Sequence, residues 1–181
     1  MGTYLHCTKN NTSYNTYVTW PGSKDYLNNL LENTNPLTLS YWMYSPNPFS
    51  VSHQSPFATI NGDLQNGIYN VLYKNEQKLF FAISAKGEVN TLRTTVDWSV
   101  WNHWVFVKDS TGGHLYLNGN LIKTEAGQAN AIAKNNIDIT IGIKYNSWNQ
   151  NLLANFDITK YRYYKRALTA SEILALYTNK L

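Results

Sequence analysis

Retaining hydrolysis of a glycosidic bond needs two carboxyl groups about 5 to 5.5 Å apart, one as nucleophile and one as acid, and alternate residues of a strand supply that spacing on one face. The acids of this chain do not fall that way. Asp138 would share its face with Asn136 and Thr140, while Glu32, Glu76, Glu88, Glu125 and Glu172 stand apart from other acids in sequence. An enzyme reading would need a pair assembled from distant strands. His6, His53, His103 and His114 are scattered without metal-ligand spacing, and no serine sits in a nucleophile elbow. His103, by its place in the W-x-H segment, reads as a satisfied structural histidine, and His53, in a proline-bearing connection, as an ordinary loop residue or else a rim contact. The single cysteine, Cys7, can form no disulfide within the chain and has no metal-ligand companion.

Aromatic and amide side chains offer a different chemistry. Flat rings stack on the C–H face of a pyranose, and Asn both donates to and accepts from its hydroxyls. The chain holds 14 Tyr and 6 Trp, although strands also favour Tyr, Trp and Thr for packing alone. The segment from Lys144 to Asn151 carries Tyr145, Asn146, Trp148, Asn149 and Asn151, and the segment from Asp97 to Asn102 carries Trp98. In an up-and-down run of strands, turns alternate between the two ends of a sandwich. Counted from Lys74-Asn75, those two segments and the Asn118-Gly119 turn share one end, provided no crossover between sheets breaks the parity. Trp98, Tyr145, Asn146, Trp148, Asn149 and Asn151 are accordingly the candidate ligand-binding residues. For Trp98 and Trp148, capping the core from the rim is the competing role. Trp20, Trp42, Trp101 and Trp104 lie within or beside strand-like segments and are assigned mainly to the core.

The elements that must position these residues are short β segments separated by turn chemistry. Leu37 to Tyr44, Phe57 to Ile60, Ile68 to Tyr73, Leu79 to Ala85, Val89 to Val96 and Val100 to Lys108 read as strands, and Leu115-Tyr116-Leu117 and Leu121-Ile122 flank Asn118-Gly119. That dipeptide signals a hairpin because both residues accept positive φ. Ile137, Ile139, Ile141 and Ile143 alternate with Asp138, Thr140 and Gly142, so one strand face is core. Near the end, Thr169 and Glu172 form a T-x-x-E capping box and Leu168 and Ile173 a hydrophobic staple. The short amphipathic helix they start should dock on the sandwich. Residues Asn28 to Asn33 read as a second short helix.

Taken in order, Trp101-Asn102-His103-Trp104-Val105-Phe106-Val107, Leu115-Tyr116-Leu117-Asn118-Gly119, Ile141-Gly142 and Tyr164-Lys165-Arg166-Ala167-Leu168-Thr169-Ala170-Ser171-Glu172-Ile173 resemble the laminin-G-like jelly-roll domains of the concanavalin A-like lectin/glucanase superfamily. The resemblance implies an all-β, antiparallel jelly-roll β-sandwich with a short C-terminal helix, with residues 1–181 as a single domain. It implies binding of sugars or proteins more often than hydrolysis. Many laminin-G-like domains also bind calcium at a loop rim, which raises calcium as a cofactor. Aligned on Tyr164 and Arg166, this chain has Ile158-Thr159 where the family commonly has Ile-Asp, a departure that weakens the inheritance. Asp63, Asp97 and Asp157 are the acids left to contribute.

The formal net charge is +4, yet only 14% of residues are charged and the basic ones are dispersed, which argues against a nucleic-acid surface. No apolar run approaches the ~20 residues that span a bilayer, and the first residues lack the charged and hydrophobic regions of a signal peptide. An extracellular or virion-surface location would then be reached as part of a larger protein or assembly. The residues favour a non-catalytic, lectin-like module that binds a glycan or glycoprotein without metal or other cofactor, and without inserting in a membrane. The alternative is a structural or adhesive protein of a virion, phage tail or cell surface, contacting a protein partner or a second copy of itself. A glycoside hydrolase with dispersed acids is the third reading.

Overall fold

The structure is a computed structural model that describes residues 5–7, 18–25, 35–45, 53–58, 67–73, 78–85, 88–94, 96–126, 138–141, 143–144, 152–153 and 156–179. Among these, β1 (Leu5–Cys7), β14 (Phe156–Tyr164), β3 (Leu37–Tyr44), β8 (Asn102–Asp109), β9 (Gly112–Leu117) and β10 (Asn120–Glu125) form one sheet in that order. A second sheet has the order β2 (Val18–Trp20), β11 (Ile139–Ile141), β4 (His53–Ala58), β5 (Gly67–Tyr73), β6 (Lys78–Ala85) and β7 (Glu88–Thr94). β12 (Ile143–Lys144) and β13 (Leu152–Leu153) pair with each other. Every pairing is antiparallel. The connections β3 to β4, β7 to β8 and β10 to β11 pass between the sheets, giving the jelly-roll sandwich that the motif order implied.

Alternation in β3 and β8 builds two cores on the two faces of the first sheet. Leu37, Leu39, Tyr41 and Met43 point inward with Trp104, Phe106 and Leu115, and are joined by Phe156, Ile158, Trp98 and Ile139. The opposite face sends out Val105 and Val107, which meet Leu168 and Ile173 in a second cluster that Tyr116, Tyr164 and Leu176 extend. That cluster is the seat of α1 (Ala170–Thr178). Its staple residues, Leu168 and Ile173, are buried against the sheet as expected. Each such side chain contributes about 1.5–3 kcal/mol by leaving water, which fixes the helix across the sheet.

The capping box forms as read. The Thr169 hydroxyl accepts from the Glu172 amide at 3.3 Å, and the Glu172 carboxylate accepts from the Thr169 amide at 2.8 Å. Glu172 also takes a two-pronged pair from Arg166 at 2.9 and 2.7 Å. The Arg166 guanidinium and then the Thr169 amide hold the Glu172 carboxyl down at about 2.

Two glycines are required by their surroundings. Gly119 (φ +82) follows Asn118 (φ +50) in the expected hairpin turn, and a Cβ there would lie 3.0 Å from Leu174 and 3.3 Å from Tyr177 of α1. Gly112 (φ +146) ends the β8–β9 turn, where a Cβ would sit 2.5 Å from the Glu125 carbonyl oxygen.

The alternating isoleucine segment departs from expectation. Ile139 to Ile141 belongs to the second sheet, but Ile143 and Lys144 pair with Leu153 and Leu152 instead. The period of two persists in sequence while the chain changes partner near Gly142. His53, read as a loop residue, opens β4 opposite Tyr73. The helix expected over Asn28 to Asn33 lies outside the described residues.

Candidate functional site

One end of the sandwich is a frame of interlocked backbone and amide groups. β3 finishes there, β8 and β14 begin there, and the Asn118-Gly119 turn closes β9 onto β10; register places Met43 opposite Asn102 and Tyr44 opposite Asp157. Oδ1 of Asp97 accepts from the Ser99 hydroxyl at 2.6 Å and the Ser99 amide at 2.9 Å. These two bonds, the hydroxyl first, favour the anion and hold the Asp97 carboxyl below its usual range. The Asn102 side-chain amide donates to the Asp97 carbonyl at 2.6 Å and the Val100 carbonyl at 3.1 Å, closing the turn from within.

Asn118 ties this turn to its neighbour. Its side-chain amide donates to Asn102 Oδ1 at 2.9 Å, its Oδ1 accepts from the His103 amide at 2.8 Å, and its own amide donates to the His103 carbonyl at 2.9 Å. The Ser45 amide donates to the Trp98 carbonyl at 3.1 Å, linking β3 to the same turn. Such a network leaves little freedom at the backbone that presents the rim side chains. The Asp97 to Asn102 segment and the Asn118-Gly119 turn thus share an end, although several connections switch sheets.

The turn sorts its tryptophans differently from the sequence reading. Trp98 is 5% exposed, with its ring stacked on Trp104 at 5.6 Å between centroids and 18° between planes. Of the two roles open to it, capping the core is the one it takes. It therefore offers no open face to a ligand. Trp101, assigned to the core from sequence, is 38% exposed, and its ring lies 5.8 Å from Tyr44 at a tilt of 30°. Trp20 likewise emerges half exposed on β2, whereas Trp42 and Trp104 are buried as expected. Alternation carried the missed signal. Trp104 and Phe106 point inward, so Trp101 shares the parity of His103, Val105 and Val107.

His103 is the structural histidine expected. Its Nε2 is 2.9 Å from the Ser40 hydroxyl, and its ring packs against Trp42 at 5.1 Å and Tyr177 at 6.3 Å. Burial, assisted by the Arg162 charge, lowers its pKa to about 4. It is neutral at pH 7.

Tyr145, Asn146, Trp148, Asn149 and Asn151 lie outside the described residues. The strands that bracket them are β12 and β13, paired through Ile143 with Leu153 and Lys144 with Leu152. Leu153 stands four residues before Asp157, the partner of Tyr44, a span of at most about 14 Å of chain.

The sandwich, the capped helix and the Asn-Gly hairpin accompany a sequence match to the family model Laminin_G_3, described as the concanavalin A-like lectin/glucanases superfamily, over residues 11–174. The chain belongs to this family. No curated protein matches this Laminin_G_3 chain in sequence. Solved structures of similar fold include the botulinum neurotoxin serotype D binding domain, at 14% identity and TM-score 0.66 over 83% of this chain and 37% of that chain. The receptor binding domain of the botulinum neurotoxin C/D mosaic serotype aligns at 13% identity and TM-score 0.68, over 91% of this chain and 40% of that one. The binding domain of Paraclostridial Mosquitocidal Protein 1 aligns at 18% identity and TM-score 0.64, over 81% and 37%. This Laminin_G_3 chain therefore spans about two fifths of the length of those binding domains, from the 37% and 40% covered. At such identities the likeness is one of fold.

The described residues of the Laminin_G_3 chain do not fit a calcium site. Calcium takes six or more oxygens, commonly several of them carboxylate, and no group of three or more His, Cys, Asp or Glu is gathered among the described residues. Asp97 commits Oδ1 to Ser99, and Asp157 sits in strand register between His6 and Tyr44. Asp63 lies outside the described residues. Asp138 has a fastening role: it accepts from the Lys24 amide at 2.9 Å and the Ser23 hydroxyl at 3.4 Å, binding the helical turn at 23–25 to β11. These bonds, led by the Lys24 amide, lower its pKa. No helix among the described residues is long and apolar enough to cross a membrane.

Proposed function

We propose that this Laminin_G_3 chain is a non-catalytic carbohydrate-binding module whose ligand sits at the rim formed by the Asp97 to Asn102 turn, the Asn118-Gly119 turn and the 145–151 connection. The shared end of the first two on a lectin-superfamily sandwich, with the strands that bracket the third close by in sequence to β14, supports the reading. Two of them are locked together by Asn102 and Asn118, and the third is bracketed by strands that lead into β14 beside Tyr44. The rigid frame of the two turns suits a sugar, because its ordering cost is met in folding rather than at binding, and the 145–151 connection is rich in aromatic and amide residues. Tyr145, Asn146, Trp148, Asn149 and Asn151 supply the stacking and hydroxyl contacts of this reading. Several neighbours of like fold are named as receptor binding domains, in keeping with a binding role for the sandwich. The sequence offers no strand with acids two residues apart, which is the reason to place the chain among binders rather than hydrolases. The partner is a glycan or glycoprotein, met outside the cell or on a virion surface. A glycan array followed by calorimetry tests this: a saccharide should bind, and Trp148→Ala should weaken it about tenfold or more. Undiminished affinity in that variant would remove the 145–151 connection from the site.

A structural or adhesive role is the second reading, favoured by the edge strands. β2 exposes Val18 and Trp20, and β10 exposes Leu121 and Ile122. Apolar residues on open edges suit contact with protein. Self-association in sedimentation, without affinity for any glycan, is the outcome that reading expects.

A further inference from the structure

We infer that Tyr44 and Trp101 form an aromatic subsite for the apolar face of a neutral pyranose, with Asp97 accepting from one of its hydroxyls. This deepens the carbohydrate-binding reading and rests on it. The two rings occupy successive outer-face positions at the rim, since Met43 pairs with Asn102 and Tyr44 follows where Trp101 precedes. One step further down the same face, Trp42 stacks on His103 and is covered by Tyr177 of α1, at 5.8 Å and 18°. Tyr44 and Trp101 are thus the next step of an aromatic column towards the rim, where Trp101 is 38% exposed.

Three features make that step a sugar subsite rather than a protein-docking face. First, it is narrow: Val100 is the exposed apolar neighbour in the turn, Trp98 is folded into the core, and Asp97, Ser99 and Asn102 are polar. Second, it is preorganised, because the amides of Asn102 and Asn118 fix the backbone on either side of Trp101. Third, it carries an acceptor. Both Ser99 bonds fall on Oδ1 of Asp97, which leaves Oδ2 to accept a hydroxyl at an exposed position on the same turn. A carboxylate favours neutral hexoses and repels uronic, sialic or sulfated sugars. The charge of the subsite therefore runs against the net charge of +4 of the whole chain.

The test follows the indole N–H resonances of the full chain by NMR during titration with methyl glucoside, galactoside and mannoside, N-acetylglucosamine, glucuronate and N-acetylneuraminate. At least one neutral sugar should shift the Trp101 resonance, and acidic sugars should do so at least several-fold more weakly. Trp101→Ala should weaken that sugar about tenfold, Trp101→Phe less, and Asp97→Asn should narrow the gap between neutral and acidic sugars. Far-UV circular dichroism verifies that each variant is folded. Sugar-induced shifts elsewhere that leave Trp101 still, or binding unchanged in Trp101→Ala, overturn the subsite and leave the carbohydrate-binding reading standing. No shift at any resonance with any of these sugars overturns both.

Discussion

His103 is structural in the fold, as its sequence context implied, and its burial makes it sensitive to pH. Its pKa of about 4 lies below the usual histidine value of 6.5, so between those limits the unfolded chain binds the proton and the native chain does not. The stability its neutral form confers is complete above about pH 6.5 and is lost as the pH falls towards 4, a total of roughly 3 kcal/mol. The lowered carboxyls of Asp97, Asp109 and Asp138 start from 3.8, below this window, and that of Glu172 starts from 4.5, at its foot, so the limb above pH 4.5 belongs mainly to His103. Urea unfolding of the wild type should weaken from pH 6.5 to 4.5, and His103→Gln should flatten that limb; an unchanged slope would show that His103 is not its source. Trp98 belongs to the same scale. Trp98→Ala removes a ring stacked in the core and should cost about 3–5 kcal/mol, measured by the same unfolding, whereas Trp101→Ala, at a ring 38% exposed, should cost less. Equal losses would mean that the two rings share one role.

The helix and hairpins were legible because their signals are local. Thr169-x-x-Glu172 and Asn118-Gly119 specify a cap and a turn from neighbouring residues alone, and both form with the geometry read from sequence. Thr169→Ala should cost about 1 kcal/mol, seen in thermal melts followed at 222 nm. Gly119→Ala combines a positive φ with crowding by Leu174 and Tyr177, and should loosen α1 more than the cap change does. Gly112→Ala meets backbone, which cannot swing aside, and should cost more than about 1 kcal/mol. Elements set by distant contacts were less legible. Nothing local told that the Ile137 to Ile143 alternation would be divided between the second sheet and the β12–β13 pair. Trp101 could have been set outward by the alternation of β8, but Trp98 could not be placed so: the Asp97 turn and the Asn102 amide fold its ring under, and those bonds join residues that no periodicity connects.

At the scale of the molecule, the family-like motifs of the second half of the chain are mainly scaffold. The W-x-H segment lines both cores of the first sheet, the L-Y-x-N-G segment makes a hairpin, and the Arg-Ala-Leu-Thr segment starts the covering helix. Fold was therefore legible from order and spacing, since many weak signals agreed. Function was not, because the same sandwich serves unrelated ligands and the side chains that would choose one lie between the motifs. The division of labour makes a prediction. Changes in the rim turn or the 145–151 connection should alter ligand choice with little loss of stability, whereas changes in the motif strands should do the reverse. The most direct test of the central claim is calorimetric titration of the intact chain with the best saccharide from a glycan array, with the sugar recovered afterwards and examined for cleavage. The account predicts saturable binding of an intact, neutral saccharide that Trp101→Ala and Trp148→Ala each weaken without unfolding the protein. Cleavage of the sugar, or failure of every saccharide to bind a folded chain, would contradict it.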